Sequence, residues 1–491
     1  MLRKSYLLVP MMPTPNGPLH LGHIAGPYLK LDVLRRYLLA EGHTVAMVSS
    51  TDAFDAYVKS TASTEGVTSQ AVAARYYREI RADFERLSIV FDAFVDPASA
   101  EEVDEFSAVH RSLVRELQLR EAVVQTDVAL ADKDGRILEA FEFEGDCGCC
   151  GKSIVGYSCE ACGFSNGAGD VIRPRQRDGT PAFLVTRRGL ALKKAEHNKI
   201  TATIEGYGLP QPFLETAQVI VARSHLLLTA PGAFGVCRYE PYDAPLYNTY
   251  FGHAIFASMI AKRGNNAFEG AFSTVSDIIT VTSLGIDNCV DIPASAAMAL
   301  AVEGRPFDHC LGNFFLDLDG KKFSTSRNHA IFVAGLSDRV TCDSLRFYLA
   351  LISPETGVEN FDVDDYVRFH NDVFCGELLK LATSLALRAR AVGAAIKRGE
   401  LRAQDYALNC TSLLQPALFS LKGYARLLLK EWRAMSDIRH ADAHFYFAAL
   451  LAAAGPLTPT LGHRLQRFAD GDNEIGAIEL INRNDLPLGR R

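Results

Sequence analysis

The chain has no apolar run long enough to cross a membrane, no internal repeat, no low-complexity tract and a single tryptophan in 491 residues. The first absence excludes a helical membrane span. Met1-Leu2-Arg3-Lys4 leads straight into a strand-like stretch rather than a signal-peptide pattern, so a cytoplasmic protein is expected. An excess of positive charge is also missing. Lys and Arg number 51 against 58 Asp and Glu, a formal charge of −7, which removes any global attraction to nucleic acid and leaves only a local basic groove. Eleven cysteines in so long a chain argue for metal binding or buried thiols rather than a disulfide framework. The length exceeds one compact core, so three or four structural units are expected.

What is present begins at the amino terminus. Ser5-Tyr6-Leu7-Leu8-Val9-Pro10-Met11-Met12 is apolar and strand-like, and Ile24, Tyr28, Leu31, Leu34 and Leu38 follow at helical spacing up to Gly42. Between them stands Pro15-Asn16-Gly17-Pro18-Leu19-His20-Leu21-Gly22-His23. A strand, a Pro/Gly turn and a helix start aim backbone N–H groups and positive partial charge at an anion. In isolation the two histidines would read as packed turn residues, and Asp52 as a helix cap.

A Gly/Cys-rich patch spans 145–168. Pairing Cys147 with Cys150 and Cys159 with Cys162 gives two C-x-x-C turns facing each other. Four thiolates so placed are the ligands expected of a tetrahedral structural zinc with no open position for catalysis. Cys149 is left as a spectator or a competitor. From about residue 361 the pattern becomes almost wholly helical, with balanced charge and no phosphate-binding stripe.

Three hundred residues after the histidines comes Leu318-Asp319-Gly320-Lys321-Lys322-Phe323-Ser324-Thr325-Ser326-Arg327-Asn328. With the histidine turn it resembles the two signature motifs of class I aminoacyl-tRNA synthetases, and the similarity is closest to the methionyl-tRNA synthetase family. Ser50-Thr51-Asp52 and Leu284-Gly285-Ile286-Asp287-Asn288 resemble further segments of that family, and the likeness extends over nearly the whole chain. It implies an α/β fold: a Rossmann-like catalytic domain at 1–115 and 226–320 and a connective insertion with the zinc knuckle at 116–225. A connecting fold with the lysine loop at 321–360 and a helical bundle at 361–491, like an anticodon-binding domain, complete it.

The resemblance implies an ATP-dependent enzyme that makes an aminoacyl adenylate. The reaction is an in-line attack of a carboxylate on the α-phosphate, so the protein chiefly positions reactants and stabilises phosphate charge. His20, His23 and Lys322 are then the catalytic set, the histidines donating to phosphate and the lysine balancing the leaving pyrophosphate. Asn16, Gly17, Gly22, Gly285, Asp287, Ser324 and Ser326 would meet ATP, with Asp287 on the ribose and room for adenine at Gly22. Met12, Thr14, Asp52, Tyr250, Ala254 and Ile292 would form the amino-acid site, with Asp52 on the substrate ammonium. Arg223 is a possible helper. Structural zinc and ATP with magnesium are the expected cofactor and substrate.

Several positions depart from the family. Thr14 stands where it usually has a tyrosine, Ala53-Phe54-Asp55 replaces an acidic, histidine and glycine run, and Tyr250-Phe251-Gly252-His253-Ala254-Ile255-Phe256-Ala257 keeps almost nothing of the pocket helix. A pocket histidine becomes Ile292, the second lysine of the loop becomes Thr325, and Trp432 lacks the Pro-Trp context that reads an anticodon and is expected to be partly buried. Such changes alter side-chain choice, so a different amino acid or a looser pocket is expected. They favour acyl transfer to a small hydroxyl, amine or N-hydroxyamine acceptor in natural-product biosynthesis, alongside a cupin partner protein. The alternatives are a divergent methionyl-tRNA synthetase, with tRNA as partner, a non-catalytic tRNA-binding scaffold, and a nucleotidyltransferase. The last is disfavoured by length and the zinc insertion.

Overall fold

The computed structural model describes residues 3–489 apart from 194–196, 224–227, the greater part of 230–264, 324–327, 392–408, 438–442 and 473–477. Its centre is a parallel sheet of β1 (Ser5–Pro10), β2 (Thr44–Ser50), β3 (Ala93–Val95), β4 (Ile279–Gly285) and β5 (His309–Asn313), in the order β5-β4-β1-β2-β3. Leu7, Leu8, Val9, Met47, Val48, Val281 and Leu284 are almost fully buried, as expected of strands covered on both faces. Tyr6 pairs with Val45 on one side and with Ile279 on the other. The chain therefore leaves β1 between two strands from opposite directions, the place where open α/β sheets form a ligand crevice.

Strand β1 ends two residues earlier than the apolar run suggests. The following helix begins at Leu21, passes through a widened turn at Ile24–Tyr28 containing Pro27, and continues as α1 (Leu29–Ala40). The proline lacks the donor for an ordinary helical bond, which accounts for the widening. Two helices, α2 (Ala56–Glu65) and α3 (Ser69–Arg86), lead to β3, and α4 (Val103–Leu119) leads out of the sheet. Asp55, not Asp52, caps α2, its Oδ1 accepting from the Tyr57 N–H at 2.7 Å.

The insertion opens with a long antiparallel pair, Val123–Ala131 with Phe183–Leu192, enclosing a three-stranded sheet (Phe143–Asp146, Ser153–Val155 and Ile172–Gln176) that carries the cysteines. Helices α5 (His197–Gly206) and α6 (Gln211–Arg223) return toward the main sheet, where α7 (Asp291–Ala301) covers β4. After β5 comes the hairpin Leu316–Leu318 and Lys321–Lys322, turned through Asp319 and Gly320 at φ +47° and +75°.

The carboxy-terminal region is helical from Val363, as its pattern indicates. It includes α8 (Leu421–Ala434), α9 (Ala443–Ala454) and α10 (Pro459–Ala469), with the Gly455–Pro459 break between the last two. Trp432 differs from expectation. It is 1% exposed within the helical core, near Phe347, because the apolar face of α8 turns inward. Among the described residues no helix is long and apolar enough to cross a membrane.

Candidate functional site

Extended backbone at His20 (φ −109°, ψ 167°) delivers the chain into the helix that starts at Leu21. The His20 and His23 rings stack with centroids 3.7 Å apart. His23 Nδ1 accepts from the His20 backbone N–H at 3.2 Å, which leaves the ring proton on Nε2, free to donate outward. His20 Nδ1 is buried with no hydrogen-bond partner among the described residues. Burial pushes His20 well below the ordinary histidine range, with His23 adding to the effect, and pushes His23 down in the same direction. Both rings are thus neutral at pH 7, each with one donor. A side chain at Gly22 would put its Cβ 3.0 Å from His20 Cε1 and 3.5 Å from the Phe323 ring, so in this structure the space at Gly22 holds those rings.

The lysine loop meets this turn directly. Phe323 stacks on His20 at 4.8 Å and 17°. Leu21 N donates to Ile331 O and Val333 N to Leu19 O, each at 3.0 Å, so backbone 331–333 is paired with the histidine turn. Lys322 Nζ lies 4.3 Å over the Phe315 ring and 2.5 Å from Glu160 Oε2. Ser324 and Ser326 lie outside the described residues.

Asp287 follows the end of β4, and its Oδ1 accepts from Asn288 Nδ2 at 3.3 Å. Burial raises its carboxyl, Glu160 raises it further, and Lys322 opposes both. Beside it, at the end of β5, Asn313 approaches Gly26 and Gly285 closely. Lys30 Nζ donates to Gly312 O at 2.7 Å, and burial lowers this lysine to about 8. Sequence reasoning missed Lys30 and Asn313. A lysine on an otherwise apolar helix face was the available signal.

Across the crevice, Met12 Sδ accepts from Ser50 Oγ at 2.9 Å, and Asp52 N donates to Pro13 O at 2.9 Å. Asp52 is buried, whereas Thr14, Asn16 and Gly17 are half-buried. Asp55 lies one turn on, raised to about 7 by burial and by the Asp52 charge. Ile292 packs with Met11, Leu284 and Ile286 in an apolar cluster. Tyr250, Ala254 and the Arg223 side chain lie outside the described residues. Near their segments stands a pair that the sequence did not reveal. His253 Nδ1 is 3.1 Å from Asp291 Oδ2, both residues are almost fully buried, and His253 Nε2 and Asp291 Oδ1 have no partner among the described residues.

The four expected cysteine sulfurs lie within 4.8 Å of one another. Cys147–Cys162 and Cys150–Cys159 are 3.8 and 3.6 Å apart. Zinc–sulfur bonds of about 2.3 Å give a tetrahedron with edges of about 3.8 Å, so the donor set fits zinc. The two turns match: Gly151 N donates to Cys147 O and Gly163 N to Cys159 O, at 2.9 and 2.8 Å. Asn166 Nδ2 and Cys149 N both point at Cys147 Sγ, as backing donors do in thiolate sites. Cys149 is itself exposed, so its sulfur is the spectator.

Residues 6–185 and 289–385 match the family described as tRNA synthetases class I (M), which is more than half the chain. The chain is 27% identical over 436 residues to the methionine–tRNA ligase of Roseiflexus castenholzii, covering 82% of this chain and 72% of that one. With the corresponding ligase of Rubrobacter xylanophilus identity is 27% over 505 residues, covering 95% and 82%. The fold is similar to that of Mycobacterium tuberculosis methionyl-tRNA synthetase bound by methionyl-adenylate, with a TM-score of 0.65 at 15% identity over 94% of both chains.

Proposed function

Because the chain belongs to the class I (M) tRNA synthetase family, an ATP-dependent ligase that forms an aminoacyl adenylate, we propose that the crevice at the end of β1 is where this adenylate is made. The observation that carries the assignment is the stack of Phe323 on His20, which brings two motifs three hundred residues apart onto one face. The substrate carboxylate oxygen bonds to the α-phosphorus of ATP as the bond to the bridging oxygen breaks, and pyrophosphate leaves with its magnesium. The outward Nε2–H of His23 donates to a phosphate oxygen, with the His20 ring stacked beside it. Lys322 neutralises charge growing on the leaving group. Asp287 takes the ribose hydroxyls, and Asp52 the substrate ammonium. Zinc, held by Cys147, Cys150, Cys159 and Cys162, would cross-link two turns and take no part in the chemistry. The domain limits expected from the sequence are kept as part of this reading.

For the acyl acceptor, tRNA is the first reading, since the relatives are methionine–tRNA ligases. The relatives named above do not speak for a small-molecule acceptor or a cupin partner. A small acceptor stays as a second reading on one observation: the chain's tryptophan, Trp432, is buried, where it stacks on no base. ATP–pyrophosphate exchange across the amino acids, followed by acylation of total tRNA, tests both. Methionine-dependent charging establishes the first reading. Exchange without any tRNA acylation establishes the second, and no exchange with any amino acid refutes the proposal.

A further inference from the structure

We propose that Glu160, inside the metal knuckle, is a positioning residue that parks the loop lysine until ATP displaces it. The proposal rests on the functional reading above for the role of Lys322. Glu160 stands between two of the cysteines, Cys159 and Cys162, and its Oε2 is 2.5 Å from Lys322 Nζ, 162 residues away. Nothing in the chemistry of a structural metal calls for a carboxylate there. Nothing in the binding of a triphosphate calls for one either, because an anion beside the phosphates repels them. The same ammonium serves both partners, so the carboxylate and the pyrophosphate end of ATP compete for it.

The knuckle is fixed where this competition requires. Gly163, at φ +75°, packs so closely on the Asp287 turn that a Cβ would fall 2.2 Å from Ile286 O. Thr216 Oγ1 holds Cys162 O at 2.7 Å. Both contacts fix the turn that carries Glu160 against the Asp287 turn, and the charges of Glu160 and Lys322 both reach the Asp287 carboxyl. The pair is also weak enough to open. The two side chains are 72% and 38% exposed, and ion pairs in water contribute little. A buried bridge would exclude ATP, whereas an exposed one yields the ammonium when the competing anion arrives.

The test uses the full-length, metal-loaded protein and the variants Glu160→Gln, Lys322→Gln and the double variant. Magnesium–ATP binding is followed by titration calorimetry, and exchange kinetics give KM and kcat. Removing the competing carboxylate is expected to tighten ATP about 1.5- to 5-fold, through KM with kcat held, and 0.5 M salt should shrink the difference. In the Lys322→Gln background the effect of Glu160→Gln should vanish. An unchanged or weaker ATP affinity in Glu160→Gln overturns the proposal, and so does an equal shift when Lys322 is absent. Thermal melts and bound metal content, expected to match the wild-type chain, separate these outcomes from a damaged knuckle. Wild-type protein that binds no ATP refutes the functional reading together with this one, whereas binding without a Glu160 effect refutes this one alone.

Discussion

Replacing Phe323 with leucine isolates the contact that joins the two motifs. The ring is 9% exposed, so leucine keeps most of the buried apolar surface. What it removes is the stack on His20 at 4.8 Å, itself continued by His23 at 3.7 Å. Aromatic pairs add about 0.5–1.5 kcal/mol beyond their area. If that energy holds Lys322 and the histidines in one arrangement for the transition state, kcat/KM for ATP should fall about 2- to 12-fold. The assay is ATP–pyrophosphate exchange with the preferred amino acid at saturation, with melting temperature as a control. Phe323→Tyr keeps the stack and should retain most of the activity. A Phe323→Leu protein within 1.5-fold of wild type would refute the reasoning, as would a loss equally large in Phe323→Tyr.

Other outcomes follow from the same geometry. Arg346→Met should cost roughly 3–5 kcal/mol in urea unfolding, since the buried guanidinium serves the Leu87, Pro456 and Leu457 carbonyls as well as Asp32 Oδ2 at 2.6 Å; Asp32 keeps Arg36 at 2.8 Å, so adding Asp32→Asn should recover little of the loss. Elemental analysis should find one equivalent of zinc in the wild-type chain, none in Cys147→Ser and an undiminished equivalent in Cys149→Ser. Asp55 is raised to about 7, so it is protonated below that pH and charged above it. If the Asp52–Asp55 pair receives the substrate ammonium, KM for the amino acid should rise as pH falls through about 7, and Asp55→Asn should flatten that profile.

The parts of this site that were legible are those whose meaning is local. The histidine turn announces itself because strand, turn and helix start fall within twenty residues, and the cysteine pairs because each turn fixes its own two sulfurs. The strand and the helix start flank the turn as the pattern indicates, and the four sulfurs converge. Contacts across the chain left no such mark. Phe323 reads as an ordinary apolar residue after a lysine pair, and only the pairing of 331–333 with 19–21 makes its ring a spacer between motifs. Glu160 reads as a solvated charge inside a metal turn. His253 and Asp291, thirty-eight residues apart, are unremarkable singly and meet only in the fold. Trp432 was expected to be partly buried. Helical periodicity places a residue on a face without saying what distant chain will cover that face, and here Phe347, on the helix Cys342–Leu351, packs against it.

Helix α3 shows how the fold keeps two distant motifs in register. Asp83 Oδ2 accepts the Leu19 N–H at 2.9 Å, holding the residue before His20, and burial raises this carboxyl to about 7. Three residues on, Arg86 donates to Leu336 O and Ala334 O, just beyond the strand that pairs with the histidine turn. One rigid element thus grips the first motif by an acceptor and the segment behind the second by a donor. The bonds go to backbone groups, so they fix where the chain runs whatever the side chains at 19, 334 and 336. Position matters here more than the strength of any one bond, because adenylate formation depends on aligning an attacking carboxylate with a leaving pyrophosphate. A buried, partly destabilised Asp83 is the cost of that alignment, and it locates the constraint in the scaffold rather than in the loop that carries the lysine.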